Sequence, residues 1–149
     1  MTHPIPSAAQ GERAPQPSAF TDAYGKLPAK NVERARTFYA ENLGLTPHGE
    51  NAGHLYYQIG GTNFMIFPST GAPSGTHDQL GLVVDDLELI VARLRARGVT
   101  FEEYPTPPGA IMRNGIMDRG RMKAAWFRDT EGNLISIAEF PQGSPFRRR

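Results

Sequence analysis

The sequence contains no cysteine, which excludes disulfide bonds, thiolate nucleophiles and thiolate metal ligands. It also lacks an apolar run near the ~20 residues that a membrane-spanning helix needs, and its N-terminus lacks the apolar segment of a secretory signal. The sequence also lacks a strong excess of either charge, because 16 basic and 15 acidic residues give a formal net charge of +1. The basic residues are interleaved with acids except at Arg147–Arg149, so no nucleic-acid surface is indicated. These absences predict a cytoplasmic protein with no nucleic-acid or membrane partner.

The sequence does contain enough apolar material for one domain with a sizeable core, because 39% of its 149 residues are hydrophobic. Residues 1–21 are rich in Pro, Ser, Ala, Gln and Gly without periodicity, which predicts a disordered N-terminal arm. We expect the domain to occupy residues 22–141. Residues 142–149 would then form a basic C-terminal tail.

Two stretches of the chain share one plan, which indicates a duplicated module. They are KNVERARTFYAENLGL (30–45) and DDLELIVARLRARGVT (85–100). In each, a residue suited to capping a helix N-terminus, Asn31 or Asp86, is followed by an apolar residue and Glu. Apolar side chains then recur at helical spacing up to a glycine, Gly44 or Gly98, which readily adopts the left-handed conformation that ends a helix. Each stretch therefore predicts an amphipathic helix that buries one stripe.

The segments around the helices complete two modules of order β-α-β-β-β, at residues 22–70 and 77–141. In the first module, Gly60-Gly61 is expected to form a tight turn between two strands. In the second, a Pro/Gly-rich loop at 106–121 precedes two strands that are joined by the turn Asp129–Asn133. The prediction is an α+β fold. Two sheets, each with a helix on one face, pair into a cup-shaped, incomplete barrel of mixed sheet with the helices outside and the concave side available to a ligand.

Two motifs carry a resemblance to a known family. Asn31-Val32-Glu33-Arg34-Ala35-Arg36-Thr37-Phe38-Tyr39 with Leu43-Gly44-Leu45 is similar to a D-hydrophobic-x-R-A/S-x-x-F-Y…L-G pattern, and Phe127–Asn133 to an F-x-D-P-(D/E)-G-N turn. With them, the stretch from Tyr24 to Phe140 resembles the vicinal oxygen chelate (VOC) superfamily, which holds glyoxalase I, the extradiol dioxygenases, fosfomycin-resistance enzymes and bleomycin-resistance proteins. The resemblance implies the cup fold and a homodimer, and in several relatives the partner chain lines the pocket. A fold does not determine a function, so the site residues decide.

Activity in this superfamily depends on a metal held by four cup-facing strand positions, usually His or Glu. Counted from the helices and the final turn, the resemblance places these positions on Tyr24, Met65, Gln79 and Ser136, which are not a set of metal ligands. A one-residue shift gives no better donors, only Leu80, Phe64, Ile66, Ile135 and Ile137. His77, which shares a strand face with Gln79, is the only weak candidate ligand, and its simplest interpretation is a loop residue. We therefore expect no cofactor, with a divalent metal as the alternative.

Strand alternation predicts which side chains reach the concave face. The set is mainly apolar with a few hydroxyl and amide groups: Tyr24, Met65, Phe67, Gln79, Gly81, Val83, Ser136 and Ala138. Trp126 and Phe127 should point to opposite sides of their strand, with one ring packed under a helix. The loop at 106–121 carries Met112 and Met117 and is interpreted as a lid over the cup, with Arg121 at its exit placed to meet a carboxylate or phosphate of a ligand. The alternative is that these side chains simply fill the cup.

Two hypotheses of different class follow. The first is a non-enzymatic protein that binds or sequesters a small, partly apolar molecule, similar to the bleomycin-resistance branch. The second is a metal-dependent lyase, isomerase or dioxygenase of the glyoxalase type with a metal site rebuilt around His77. A third is an interaction or regulatory partner with a filled cup. The paired acids Glu102-Glu103 and Asp85-Asp86 are more simply a strand face and a helix cap than catalytic groups, so no catalytic residue is assigned.

Overall fold

The computed structural model describes residues 19–146. The N-terminal arm predicted to be disordered falls almost entirely outside these residues, as does the Arg147–Arg149 end of the predicted tail. Within residues 19–146 the chain forms two helices and ten strands, and neither helix is long and apolar enough to cross a membrane. In chain order the elements are β1 (Gly25–Ala29), α1 (Val32–Leu43), β2 (Gly49–Asn51), β3 (His54–Ile59), β4 (Thr62–Pro68), β5 (Leu80–Val83), α2 (Leu87–Ala96), β6 (Phe101–Glu102), β7 (Ile111–Arg113), β8 (Ile116–Asp118), β9 (Lys123–Arg128) and β10 (Leu134–Glu139).

The strands form two mixed sheets that are not closed into a barrel. The first sheet has the order β1-β4-β3-β2, and the second has the order β5-β10-β9-β8-β7 with β6 also paired to β9. Strand β1 runs parallel to β4 and β5 runs parallel to β10, whereas the other pairs are antiparallel. Strands β1 and β4 of the first module thus correspond to β5 and β10 of the second. This arrangement confirms the predicted α+β fold built from a repeated module.

Both helices begin at the predicted caps. Asn31 Oδ1 accepts a hydrogen bond from Arg34 N at 2.9 Å, and Asp86 Oδ1 accepts one from Leu89 N at 3.1 Å. Each bond satisfies an amide that has no partner within its helix. Helix α1 ends at Gly44, whose φ of 70° is left-handed and whose N–H donates to Ala40 O at 3.1 Å. Short-range sequence therefore determines where the helices start and where the first one stops.

The predicted lid loop is wrong in its central part, because residues 111–118 form a β-hairpin rather than an irregular loop. Strands β7 and β8 pair with Met112 opposite Met117, and β8 pairs with β9 through Met117 and Ala124. The turn is Asn114-Gly115, with φ of 53° and 77°, a conformation typical of two-residue hairpin turns. The Asn-Gly dipeptide between two short alternating runs is a hairpin signal that the surrounding prolines and glycines obscured. The hairpin extends the second sheet, which leaves 103–110 and 119–122 as the irregular segments around it.

One hydrophobic core joins the two modules on their helix-covered sides. The ring centroids of Phe38 and Phe127 lie 6.3 Å apart, so α1 of the first module contacts β9 of the second. Trp126 lies on the opposite face of β9, where its register partner is Ser136. The expectation that the two neighbouring rings flank their strand is confirmed, and Phe127 is the one under a helix.

The turn Asp129–Asn133 forms a polar joint between the modules. Tyr39 Oη donates to Asp129 Oδ2 at 2.8 Å, and Asn133 Nδ2 donates to Pro28 O at 3.0 Å. The Glu131 carboxylate accepts from Asn31 N at 2.9 Å and from Arg34 Nε at 2.7 Å. Burial opposes ionisation of Glu131, but the hydrogen bonds from Arg34 and Asn31 outweigh it and lower the pKa of Glu131 to about 2. This joint helps to hold the two sheets in their relative orientation.

Candidate functional site

Each sheet has one face that packs against the core and one that does not, which we call its open face. On the first open face, Met65 is the register partner of both Lys26 and Tyr56. On the second, Ser136 lies between Gly81 and Trp126. Met65 and Ser136 are buried, yet neither belongs to the core cluster, as strand alternation requires. The two open faces are therefore the candidate ligand surfaces.

The centre of the second open face is built from small side chains. Two rows cross it, one formed by Gly81, Ser136 and Trp126, the other by Val83, Ala138, Ala124 and Met117. A Cβ at position 81 would lie 3.3 Å from Ser136 Oγ, so glycine keeps this part of the floor low. Trp126 stands at one side of the floor, and Met117 stands at the other with its hairpin partner Met112. A low floor between an aromatic side chain and two thioethers suits a flat, partly apolar molecule.

The aromatic side of this floor is held by a polar cluster. The Tyr104 ring meets Trp126 edge-on, with 5.6 Å between ring centroids. Tyr104 Oη donates to Glu102, whose other carboxylate oxygen accepts from Arg128 Nε at 2.6 Å. Burial raises the pKa of Tyr104 to about 12, helped by Glu102, and although burial also disfavours the charged Glu102, hydrogen bonds from Tyr104 and Arg128 lower its pKa. At neutral pH the Tyr104 phenol is therefore neutral and donates to Glu102, which is charged and paired with Arg128. These bonds fix the orientation of the Tyr104 ring against Trp126.

Gln79 supplies the second open face with an unpaired acceptor. Its backbone N–H donates to Leu134 O at 2.8 Å, but its side-chain Oε1 is buried without a hydrogen-bond partner among residues 19–146. The next residue, Leu80, packs against the core, so alternation places the Gln79 side chain on the open face. A buried, unpaired acceptor costs about 1–3 kcal/mol. A ligand N–H or O–H would remove that cost, so Gln79 is the candidate polar anchor of the surface.

The first open face is also partly apolar and carries a cation. Lys26 Nζ lies 4.6 Å above the centre of the Phe67 ring, a cation–π arrangement. Met65 lies in the same sheet and is buried. Tyr24 directly precedes β1 and is 57% exposed. Sequence reasoning placed Met65 and Phe67 on one face, as the register shows, but it missed Lys26.

The predicted site residues thus fall into two groups. Tyr24, Met65 and Phe67 belong with the first sheet, and Gln79, Ser136 and Trp126 belong with the second. In the part of the chain that the structure describes, no ring contact or side-chain hydrogen bond joins the two groups. Arg121 is exposed in the connection between β8 and β9.

The residues at the four family metal positions do not fit a divalent cation. Tyr24, Met65, Gln79 and Ser136 offer no imidazole or carboxylate, and a metal needs several such donors that converge. Across residues 19–146, no three His, Asp or Glu side chains form a group that could hold a metal ion. His77 is exposed, and its Nδ1 lies 3.1 Å from Ser74 Oγ. No chemical step is therefore assigned through a metal.

Three residues of the polar cluster were not identified from the sequence as part of the site. Glu102 and Tyr104 are two positions apart in an extended stretch, so alternation alone could have placed them on one face. Arg128 is 26 residues from Glu102 in sequence. No local signal connects that pair, because it depends on β6 pairing with β9.

Comparison with known proteins gives a family and a fold. Residues 21–137 match the family described as the Glyoxalase/Bleomycin resistance protein/Dioxygenase superfamily. No curated protein is similar enough in sequence to count as a match. Among solved structures, TnmS3, an antibiotic binding protein from Streptomyces sp. CB03234, is 23% identical with a TM-score of 0.62, over 83% of this chain and 98% of that one. The fosfomycin resistance protein FosX from Listeria monocytogenes is 12% identical with a TM-score of 0.64, over 84% of this chain and 97% of its own. A glyoxalase/bleomycin resistance protein/dioxygenase from Nocardioides is 17% identical with a TM-score of 0.58, over 95% and 96%.

Proposed function

We propose that this chain, which belongs to the Glyoxalase/Bleomycin resistance protein/Dioxygenase superfamily, is a non-enzymatic protein that binds a small, partly apolar molecule. The observation that carries the proposal is the second open face, where a floor of small residues lies beside Trp126 and the unpaired Gln79 Oε1. TnmS3, which shares the fold, is described as an antibiotic binding protein. That description concerns TnmS3, and it shows that the fold can serve binding.

The chemistry of the second open face defines the ligand class. An edge-on Tyr104–Trp126 pair presents aromatic surface, and contact between aromatic rings contributes about 0.5–1.5 kcal/mol beyond buried area. Gln79 Oε1 accepts but does not donate, so it selects a ligand with an N–H or O–H group at that end. We therefore propose a planar aromatic ligand with at least one hydrogen-bond donor. Arg121, at the exposed β8–β9 connection, is the proposed contact for an acidic substituent.

The proposal includes a homodimer. The sheets are open, and Tyr24 of the first module and Val83 of the second are 57% and 46% exposed. A second copy that sets the first open face of one chain against the second open face of the other would cover both. It would also bring Met65 and Phe67 towards a ligand on Ser136, and so complete the cup.

The experiment uses the only tryptophan of the chain as a probe. We would titrate the protein with planar aromatic phenols, anilines and their methylated analogues while recording Trp126 fluorescence. Donor-bearing compounds should quench or shift the emission saturably, and methylated analogues should bind more weakly. The proposal is abandoned if no compound of the panel binds. Stoichiometric divalent metal in the purified protein would also overturn it, in favour of a metal-dependent enzyme.

The variant Gln79→Leu removes the acceptor and nearly preserves the side-chain volume. We expect it to weaken the binding of donor-bearing ligands about 5- to 30-fold, which corresponds to the ~1–2 kcal/mol of one buried hydrogen bond. The affinity for the methylated analogues should not change. Gln142→Leu, a change at an exposed glutamine that follows β10 and lies on neither sheet, is the matched control. Equal losses for both ligand classes would show that Gln79 does not contact the donor.

A further inference from the structure

A groove between the two modules borders the floor of the second open face and shares Gly81 and Val83 with it. It has a volume of about 930 Å³ and is bounded by α2, β5, the C-terminal end of α1 and the β3–β4 turn. We call it the inter-module groove. Phe64, Leu94 and Ile137, which line it, are also members of the hydrophobic core, so the groove reaches the core from the surface. A volume of this size is typical of small-molecule sites.

The repeat explains why the groove exists. In the first module, the start of α1 is covered by the turn Asp129–Asn133, with Arg34 bonded to Glu131 and Tyr39 bonded to Asp129. The corresponding positions on α2, 55 residues further along, are Leu89 and Leu94. The corresponding turn is Gly60-Gly61, which is shorter and has no side chains. The place that polar side chains fill in one module is thus an apolar groove in the other.

Exposed apolar side chains concentrate in this groove. Residues 19–146 contain seven large apolar residues that are exposed, and four of them line it: Ile59, Val83, Leu89 and Phe146. Leu89, in the first turn of α2, is 45% exposed. A cluster of exposed apolar side chains around a concave surface indicates a binding site, whereas isolated ones do not.

The charges of the groove favour an anion at one end. Arg93 and Arg97 line it, and Arg97 Nη1 donates to Asn42 O at 2.8 Å, close to the C-terminal end of α1. Arg93 makes no hydrogen bond or ion pair within the described residues 19–146. The acids of the groove, Asp85 and Asp86, lie at the N-terminal end of α2, about 10–12 Å along the axis from Arg93 at 1.5 Å per residue. The guanidinium end therefore complements a negative group, and the surface between the two ends is apolar.

We propose that the inter-module groove binds an apolar carboxylate. The alkyl or alicyclic part lies against Leu89, Ile90 and Phe64, and the carboxylate meets Arg93 with Arg97 beside it. Guanidinium groups bind carboxylates with charge-assisted hydrogen bonds. This site borders the aromatic-ligand surface around Trp126 at Gly81 and Val83, but the residues assigned to the carboxylate and to its apolar part lie outside that surface.

The test uses decanoate as the probe, with decanol and decylamine as equal-length controls, measured by isothermal titration calorimetry on the full chain. We expect saturable binding of one decanoate per chain, with decanol at least 10-fold weaker and decylamine without saturable binding. Leu89→Glu, which places a carboxylate in the groove, should lower the affinity for decanoate at least 10-fold. Arg93→Gln should lower it about 10-fold. Ile111→Glu, a change at an exposed isoleucine outside the groove, is the matched control and should have no effect.

The proposal would be overturned by absence of saturable decanoate binding, by equal affinity for decanoate and decanol, or by unchanged affinity in both Leu89→Glu and Arg93→Gln. Leu89→Gln serves as the second variant if Leu89→Glu does not fold. Loss of decanoate binding in Gln79→Leu but not in Leu89→Glu would place the carboxylate on the second open face and reject the groove. If no aromatic compound of the panel binds but decanoate still does, the proposed function is rejected and the groove proposal stands.

Discussion

The stability of this protein should depend on pH through Glu131, and the substitution Glu131→Gln should remove that dependence. Its side chain is 1% exposed and accepts hydrogen bonds from Arg34 Nε at 2.7 Å and Asn31 N at 2.9 Å. In the folded protein its pKa is about 2, against 4.5 for an ordinary glutamate. That difference corresponds to about 3 kcal/mol of stability.

The direction follows from which state takes up the proton first. As pH falls through 4.5, Glu131 becomes protonated in the unfolded chain while the folded protein keeps it charged until pH is about 2. Protonation therefore favours unfolding throughout this window. The contribution of Glu131 is fully present above about pH 5 and is lost progressively as the pH falls to about 2.

The assay is urea unfolding, followed by circular dichroism, of the wild type and Glu131→Gln at several pH values between 7 and 2.5. The variant should be less stable by about 2–4 kcal/mol at pH 7, and the difference should narrow as the pH falls because the wild type loses its advantage. Glu88→Gln is the control, since Glu88 is 72% exposed in its ion pair with Lys123 and should barely change stability. A wild type and Glu131→Gln that lose stability in parallel, or that differ no more than Glu88→Gln does, would refute the reasoning about the joint.

Two further predictions concern glycines. Gly115→Ala should destabilise the protein clearly more than Gly120→Ala, by about 1–3 kcal/mol, because both have left-handed φ but only a Cβ at 115 would come within 2.9 Å of Phe101 Cβ. Thermal unfolding of the two variants measures the difference, and equal melting temperatures would show that the hairpin shifts to accommodate the methyl group. Gly81→Val, whose Cβ would lie 3.3 Å from Ser136 Oγ, should raise the floor there and weaken the binding of aromatic ligands at least 10-fold in the Trp126 fluorescence titration. Unchanged affinity would place the ligand elsewhere.

Local sequence was sufficient for the elements whose cause is local. The caps Asn31 and Asp86 were predicted from residue type and position, because a cap bond spans only three residues. The opposite directions of Trp126 and Phe127 followed from the period of a strand. The Asn114-Gly115 hairpin was missed although its signal was local, because nearby prolines and glycines favoured a loop.

The candidate site was predictable only in part, because strand alternation is local whereas several contacts of the site join distant segments of the chain. Alternation placed Ser136, Met65 and Phe67 on open faces without any knowledge of tertiary contacts. It could not reveal that Arg128 pairs with Glu102, since that contact requires two distant strands to meet. Nor could it show that the Gln79 acceptor lacks a partner, because hydrogen-bond satisfaction depends on every group packed nearby.

The sequence by itself thus determined the repeat, the starts of both helices, the end of the first helix and the faces of the strands, all of which depend on residue type and short-range spacing. The tertiary structure alone decided how the modules pack. It placed the polar turn Asp129–Asn133 on α1, whereas the corresponding turn at the groove beside α2 is Gly60-Gly61. The physical reason is that similar modules can pack with different neighbours, and a groove is a property of the space between elements rather than of any one element.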